Sequence, residues 1–106
     1  MADFADRARG VRSLLGDPLM AERTVKIVNK LGIHARPAAE IVKTASKFGS
    51  SITIVRDDLE VNGKSIMGVM MLAAEQGSTI DIKAEGADAE AALDALSAVI
   101  ADGFGE

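Results

Sequence analysis

The sequence predicts an α/β protein of the α+β type, an open-faced β-sandwich with the element order β-α-β-β-α-β-α. Apolar residues recur at every second position in four segments and at helical spacing in three others. The strand-like segments alternate apolar with polar side chains, which favours a mostly antiparallel four-stranded sheet with one dry face. The three helices then cover that face, and 106 residues suffice for one such core.

The first predicted strand and helix surround the only histidine of the chain. Residues 24–28 alternate well enough to form a strand. A helix is predicted from about residue 35 to residue 48, because apolar side chains recur there at helical spacing. These side chains are Ala38, Ile41, Val42, Ala45 and Phe48.

The middle of the chain predicts a β-hairpin followed by a short helix. Apolar side chains point one way in a second and a third strand; they are Ile52 and Ile54, then Leu59 and Val61. Asp57 and Asp58 form the turn between these strands. The second helix is predicted from Ser65 to about Ala74.

The last part of the chain predicts a strand and a helix. Residues 79–84 alternate cleanly and form the fourth strand. The third helix begins near Asp88, a favourable N-cap residue. Its inward-facing residues are Ala92, Leu93, Leu96, Val99, Ile100 and Phe104.

Residues 1–20 form an N-terminal extension that we expect to be disordered or weakly helical. An apolar stripe over residues 4–15 is interrupted by Gly10 and ends at the Gly-Asp-Pro sequence of residues 16–18. A start upstream of a natural one at Met20, or a weak amphipathic helix that docks elsewhere, are the alternatives. Residues 21–106 form the predicted domain.

Composition excludes several classes of function. With no cysteine and one histidine, we expect no disulfide, no thiolate chemistry, no metal site and no other cofactor. A net charge of −4 and 3% aromatic residues argue against nucleic acid as a partner. The longest apolar run, residues 66–74, is too short to span a bilayer, and we find no signal peptide. We therefore expect a cytoplasmic protein that does not insert into membranes.

Charge is distributed unevenly along the chain. Residues 30–64 contain six basic and four acidic side chains, whereas residues 80–106 contain seven acidic side chains and one lysine. The surface around His34 is therefore predicted to be positive on an acidic protein. Such a surface can attract an acidic partner, although ordinary solvated charge explains the same pattern.

The segment GIHARPAAE, residues 32–40, places the histidine at the start of the first helix. Gly32 permits an unusual backbone angle, so the chain can turn sharply out of the first strand. Pro37 suits a first helical turn, where its missing N–H is not needed. His34 then lies at or just before the N-cap, where Ser, Thr, Asp or Asn would stabilise the helix more.

This arrangement provides a cradle for an anion. A helix N-terminus presents unpaired N–H groups and a partial positive charge, so we assign Ala35 and Pro37 to the phosphate cradle and helix start. Arg36 adds a guanidinium whose geometry suits phosphate. A neutral His34 beside this cradle could attack a donor phosphoryl group and form a transient phosphohistidine.

Other interpretations of the same residues remain open at this point. A single histidine is often only a surface residue or a hydrogen-bonding group. A Ser-His-Asp triad fits poorly, because no nucleophile elbow is present. Residues 63–65, Gly-Lys-Ser, resemble the end of a phosphate-binding loop, but that motif needs glycine where Asp58 stands.

The second helix has two apolar faces. One face, formed by Val69, Leu72 and Ala73, is predicted to pack on the sheet. The other consists of Ile66, Met67 and Met70. Neighbouring helices could cover this second face, or it could be an exposed, methionine-rich docking patch for partners.

Two segments resemble the histidine-containing phosphocarrier proteins (HPr) of the phosphoenolpyruvate-dependent phosphotransferase system. NKLGIHARPAAEIV is similar to the active-site signature of that family, and VNGKSIMGVMMLAAEQGS resembles its regulatory-serine region. The resemblance covers residues 21–106 and implies that His34 is phosphorylated on Nδ1 with help from Arg36. It also implies that Ser65 matches the position that an ATP-dependent HPr kinase/phosphorylase modifies in some members.

The resemblance further implies the partners. Enzyme I, charged by phosphoenolpyruvate, donates the phosphoryl group, and enzyme II A domains accept it. We therefore predict a monomeric phosphocarrier of sugar transport whose phosphohistidine is an intermediate between proteins rather than part of a stand-alone turnover enzyme. One alternative is a regulatory relay of the nitrogen-related branch, which the methionine-rich helix resembles. A non-phosphorylated open-faced interaction domain is the alternative from a different class.

Overall fold

The computed structural model describes residues 19–106, which form an antiparallel sheet and three α-helices in the predicted order. The elements are β1 (Met20–Lys26), α1 (Ala35–Ala45), β2 (Ser51–Arg56), β3 (Leu59–Asn62), α2 (Ile66–Met71), β4 (Thr79–Glu85), α3 (Ala89–Ala101) and a 3-10 turn (Gly103–Gly105). The helices cover one face of the sheet. The predicted open-faced α+β sandwich is confirmed.

The four described strands lie in the order β1-β4-β2-β3, and every pairing is antiparallel. β4 lies between β1 and β2, with Ile80 opposite Val25 and Ala84 opposite Ile52. Because side chains alternate along a strand, this register brings the apolar residues of neighbouring strands to the helix-covered face. The hairpin of β2 and β3 pairs Arg56 with Leu59, as the predicted turn at residues 57–58 requires.

Aliphatic side chains fill the space between the sheet and the helices. The largest fully buried apolar side chains are those of Ile27, Ile41, Ile54, Ile80, Ile82, Leu93, Leu96, Ile100, Val69 and Pro37. Phe104 is also buried, just beyond α3. This dry layer holds α1, and therefore the histidine at its start, at a defined position over the sheet.

Two helices are shorter than their apolar periodicity predicts. α1 ends at Ala45 rather than Phe48, because the amides of Lys47 and Phe48 bond three residues back instead of four; Phe48 N–H, for example, donates to the Ala45 carbonyl at 3.2 Å. α2 ends at Met71 rather than Ala74, and Ala73 adopts a left-handed φ of 48°. That turn exposes Ala73, so the prediction that it packs on the sheet is wrong, whereas Val69 and Leu72 are buried as expected.

Asp88 has a role that its N-cap position does not predict. Its carboxylate makes no capping bond to α3. Instead it accepts hydrogen bonds from the amides of Gly49 and Ser50, at 2.9 and 3.0 Å, and from the Ser50 hydroxyl. The Ser50 hydroxyl and the Gly49 amide lower the pKa of Asp88. Asp88 therefore joins the start of α3 to the loop before β2.

The predictions for the N-terminal extension concern mainly residues 1–18, which lie outside the described residues. Met20, which the sequence pattern assigned to the extension, is the first residue of β1. In residues 19–106, none of the helices has the length and apolar character that crossing a bilayer requires.

Candidate functional site

His34 is the N-cap residue of α1, as the sequence predicts. Its backbone is extended, with φ of −98° and ψ of −167°, and its side chain makes no capping hydrogen bond. The first helical bond runs from Ala38 N–H to the His34 carbonyl, at 2.9 Å. The amides of Ala35 and Arg36 find no acceptor in residues 19–106. The start of α1 therefore presents unpaired donors directly after the imidazole.

Gly32 makes the sharp turn that leads into this helix. Its φ is +69°, a conformation that favours glycine. Gly32 N–H donates to the Asn29 carbonyl at 3.1 Å and closes the turn. Ile33 N–H donates to the Ala74 carbonyl at 2.8 Å and joins the turn to the chain after α2. The loop of residues 29–33, which leads into His34, is thus held against the chain just after α2.

Replacing Gly32 with alanine should destabilise the domain by roughly 1–3 kcal/mol, the range for one strained backbone position, and should also slow any chemistry at His34. The new Cβ would lie 2.5 Å from the Ala74 carbonyl oxygen and 2.9 Å from Glu75 Cα. Both atoms belong to the backbone, so the loop itself must move. Thermal unfolding measures the loss.

Two other glycines separate the causes of that loss. Gly77 also has positive φ, at +90°, but its Cβ would meet open space, so Gly77→Ala reports the strain without the clash. Gly49 has open space and no positive φ, so Gly49→Ala should be close to neutral. If Gly32→Ala unfolds at the same temperature as Gly49→Ala, the close approach does not constrain the loop.

Glu106 brings a carboxylate to the histidine. Its Oε2 lies 2.9 Å from His34 Nε2 and accepts a hydrogen bond from Arg36 Nη1 at 3.2 Å. In residues 19–106 no group hydrogen-bonds to His34 Nδ1. On the surface that the charge pattern predicts to be positive, the carboxylate of Glu106 therefore contacts both predicted site residues.

Asn29 holds the other oxygen of this carboxylate. Its side-chain N–H group donates to Glu106 Oε1 at 3.1 Å and to the Gly32 carbonyl at 2.7 Å, and the residue is only 5% exposed. The hydrogen bond from Asn29 lowers the pKa of Glu106, as do the hydrogen bond and charge of His34 and the charge of Arg36, against an opposing effect of desolvation. Glu106 is therefore held in its ionised form.

Four of the predicted site residues lie together in the structure, and two residues that were not predicted lie beside them. His34, Ala35, Arg36 and Pro37 lie together at the start of α1, with Pro37 buried. Analysis of the sequence missed Asn29 and Glu106. Glu106 is 72 residues from His34 along the chain, and no local pattern connects the two.

Ser65 is the N-cap of α2. Its hydroxyl accepts a hydrogen bond from the Gly68 amide at 3.1 Å, as expected for a capping serine. The three residues predicted as a docking patch, Ile66, Met67 and Met70, are 45%, 75% and 41% exposed, so none of the helices within residues 19–106 covers them. Met71, which the pattern did not assign to this face, is exposed as well.

Comparisons with known proteins identify the family of this chain. Residues 21–102 fit the family model described as the PTS HPr component phosphorylation site. The chain belongs to the HPr family. It is accordingly a phosphocarrier of the phosphotransferase system, and the family relates it to phosphohistidine chemistry, to sugar transport and to enzyme I and enzyme II as partners.

Individual HPr proteins match over most of the chain. It is 49% identical to the phosphocarrier protein HPr of Treponema pallidum over 87 residues, which are 82% of this chain and 99% of that protein. The identity to HPr of Neisseria meningitidis serogroup A is 46%, over 82% of this chain and 98% of that protein. The crystal structure of HPr-C-His from Thermoanaerobacter tengcongensis superimposes with a TM-score of 0.78 and 51% identity, covering 81% of this chain and 97% of that one.

A dimer also occurs among the similar structures. The structure of an HPr dimer from T. tengcongensis has a TM-score of 0.66 and 51% identity, and covers 77% of this chain and 94% of that one. The expectation of a monomer is therefore not confirmed for this HPr-family chain and stays a prediction.

Proposed function

We propose that this chain accepts a phosphoryl group on Nδ1 of His34 from phosphorylated enzyme I and passes it to enzyme II A domains. The observation that carries the proposal is the orientation of the imidazole at the start of α1. Nε2 contacts Glu106, whereas Nδ1 makes no hydrogen bond within residues 19–106. Nδ1 is therefore the nitrogen that is free to attack. His34 directly precedes the unpaired amides at the start of α1.

The transfer can be written from these groups. The lone pair of Nδ1 forms a bond to phosphorus while the bond from phosphorus to the donor breaks, and its electron pair goes to the donor. The equatorial oxygens of the transferred group face the helix-end amides and the guanidinium of Arg36, which stabilise the negative charge. Passing the group on reverses the same steps with an acceptor on the next protein.

The partners follow from family membership and from the surface beside the site. An acidic enzyme I would meet Arg36 and the exposed apolar side chains of α2. The chain just after this helix is hydrogen-bonded to the loop before His34, from Ile33 N–H to the Ala74 carbonyl. We further propose a cytoplasmic location, because the phosphoryl source, phosphoenolpyruvate, is a metabolite of the cytoplasm.

The proposal is tested by incubating the chain with phosphoenolpyruvate and enzyme I. We expect one phosphate per chain that is labile in acid, and we expect an enzyme II A domain to remove it. Omitting enzyme I should prevent labelling. Labelling that needs ATP instead of enzyme I, or no labelling at all, would contradict the proposal.

A negative charge at the start of α2 should weaken docking without weakening the fold. Ser65→Asp keeps an acceptor for the helix N-terminus, which favours negative charge, so its melting temperature should be close to that of the wild type. The same charge, like a phosphate on Ser65, stands next to Ile66 and Met67 and should repel an acidic enzyme I. We expect phosphorylation at sub-saturating enzyme I to be slower by about tenfold, an effect of 1.4 kcal/mol on association.

Two variants test whether the docking surface or the cap is responsible. Met67→Asp places charge on the exposed face without touching the cap and should slow phosphorylation similarly. Ser65→Ala removes the capping hydroxyl and should cost roughly 0.5–2 kcal/mol of stability while association stays normal. Normal rates for both aspartate variants would show that α2 does not contact enzyme I.

A further inference from the structure

We propose that Arg56 is a positioning residue for phosphoryl transfer: it fixes the turn after α2 and thereby holds the exposed face of that helix in a constant position relative to the loop before His34. This inference rests on the proposed function, because it concerns how enzyme I reaches the histidine. Arg56 is the last residue of β2 and belongs neither to that loop nor to α2.

The guanidinium of Arg56 binds the C-terminal end of α2. Its Nη1 donates to the carbonyl oxygens of Leu72, at 3.0 Å, and of Ala73, at 2.7 Å. The last carbonyls of a helix have no partner within it and carry partial negative charge, so a cation beside them is favourable. The last turn of α2 contains no basic residue of its own. Strand β2 therefore supplies the cation that this helix lacks.

The charge of Arg56 is not engaged elsewhere in the described part of the chain. None of the ion pairs within residues 19–106 includes it. The side chain is half-buried, which limits the competition of water for its N–H groups. Both carbonyl contacts should therefore persist in solution.

One of these carbonyls belongs to a strained residue. Ala73 has a φ of +48°, in the left-handed region that favours glycine. Such a conformation at a non-glycine residue persists only where its surroundings enforce it. The Ala73 side chain is exposed, so its packing cannot do so. The hydrogen bond from Arg56 to the Ala73 carbonyl supplies a contact that fixes the turn.

This turn is joined directly to the backbone before the histidine. The next residue, Ala74, accepts a hydrogen bond from Ile33 N–H at 2.8 Å, and Ile33 immediately precedes His34. Gly32 lies so close that a Cβ there would be 2.5 Å from the Ala74 carbonyl oxygen. A shift of the turn would therefore move the backbone that leads into His34.

The proposed docking requires this connection to be rigid. Enzyme I must contact the exposed side chains of Met67 and Met70 while its phosphoryl group reaches His34. If the end of α2 is free to move, binding must first order it, and that ordering reduces affinity. The groups proposed to perform the chemistry lie on α1, so transfer within the complex should change little.

Rates measured over a range of chain concentrations test this division. Arg56→Ala should raise the KM of enzyme I for the chain by about three- to tenfold and leave kcat nearly unchanged. Arg56→Lys retains a charged donor and should recover most of the loss. Arg23→Ala is the matched control: it removes an equal charge, from β1, where Arg23 pairs with Glu90 and Asp94 of α3. It should leave both constants unchanged. A lower kcat with an unchanged KM in Arg56→Ala would overturn the proposal.

Amide hydrogen exchange provides a readout that does not need phosphorylation. In Arg56→Ala the Ile33 amide should exchange about tenfold faster, whereas the amides of β4, which report on global unfolding, should change much less. Equal changes at both places would mean that the variant has lost only global stability. Unchanged exchange at Ile33 would show that Arg56 does not hold the loop. Either result contradicts the inference.

Glycine at position 73 separates the turn from the charge. Glycine adopts a left-handed φ without strain, so Arg56→Ala should raise KM less in an Ala73→Gly background than in the wild type. If Arg56 instead attracts an acidic enzyme I directly, the rise is equal in both backgrounds and the proposal is wrong. If the wild-type chain accepts no phosphate from enzyme I, the proposed function fails, while exchange at Ile33 still decides whether Arg56 holds the loop.

Discussion

Replacing His34 with alanine should abolish acceptance of phosphate from enzyme I while the domain stays folded. His34 is the proposed nucleophile, and no other histidine or cysteine exists in the chain to replace it. Its side chain is half exposed and makes no capping bond, so its loss removes only the contact with Glu106. We expect a change in unfolding free energy within about 0.5 kcal/mol, as for ordinary surface substitutions. Acid-labile phosphate and thermal unfolding are the two measurements.

A second substitution at the same position makes this test independent of stability. His34→Asn introduces a favoured N-cap residue and should stabilise α1 by about 0.5–1 kcal/mol. It should nevertheless accept no phosphate. A chain that is more stable than the wild type and fully inactive would exclude unfolding as the cause. Stable acid-labile labelling of either variant would refute His34 as the acceptor.

Arg36→Ala should slow phosphoryl transfer by about 10- to 100-fold, which is below the loss found for a pre-organised donor in a closed active site. We expect this smaller loss of rate because the Arg36 side chain is 56% accessible to solvent. Its one ion pair within residues 19–106 is to Glu106, at 3.2 Å, so stability should change little. Arg36→Lys should recover part of the rate, since lysine retains the charge and loses the planar fork.

Lys43 provides the matched control for Arg36. It lies exposed in the last turn of the same helix, so Lys43→Ala removes an equal charge at the opposite end. Its rate should be close to that of the wild type if the effect of Arg36 is local. Equal losses in the two variants would mean that both residues only attract enzyme I at a distance. Wild-type transfer in Arg36→Ala would remove the residue from the proposed mechanism.

The architecture and the position of the histidine could be predicted from local sequence patterns, because periodicity and turn residues indicate both. Strands buried on one face alternate with period two, so residues such as Ile80 and Ile82 indicated their strand and its inner face before any contact was known. Gly32 and Pro37 marked the turn and the first helical turn around His34 for equally local reasons. These constraints act within a few residues, and the structure agrees with them.

The surroundings of the histidine and the ends of the helices depend instead on contacts between distant parts of the chain. Glu106 reaches the site and the side chain of Asn29 because a buried Phe104 and a left-handed turn redirect the chain after α3, which leaves no periodic signal. Asp88 has the residue type of an N-cap, yet its carboxylate accepts hydrogen bonds from amides of the loop before β2 and makes no capping bond. In each case several donors or acceptors could form a hydrogen bond with one polar group. The bond that forms is the one whose two atoms the fold brings within about 3 Å, a distance that sequence separation does not determine.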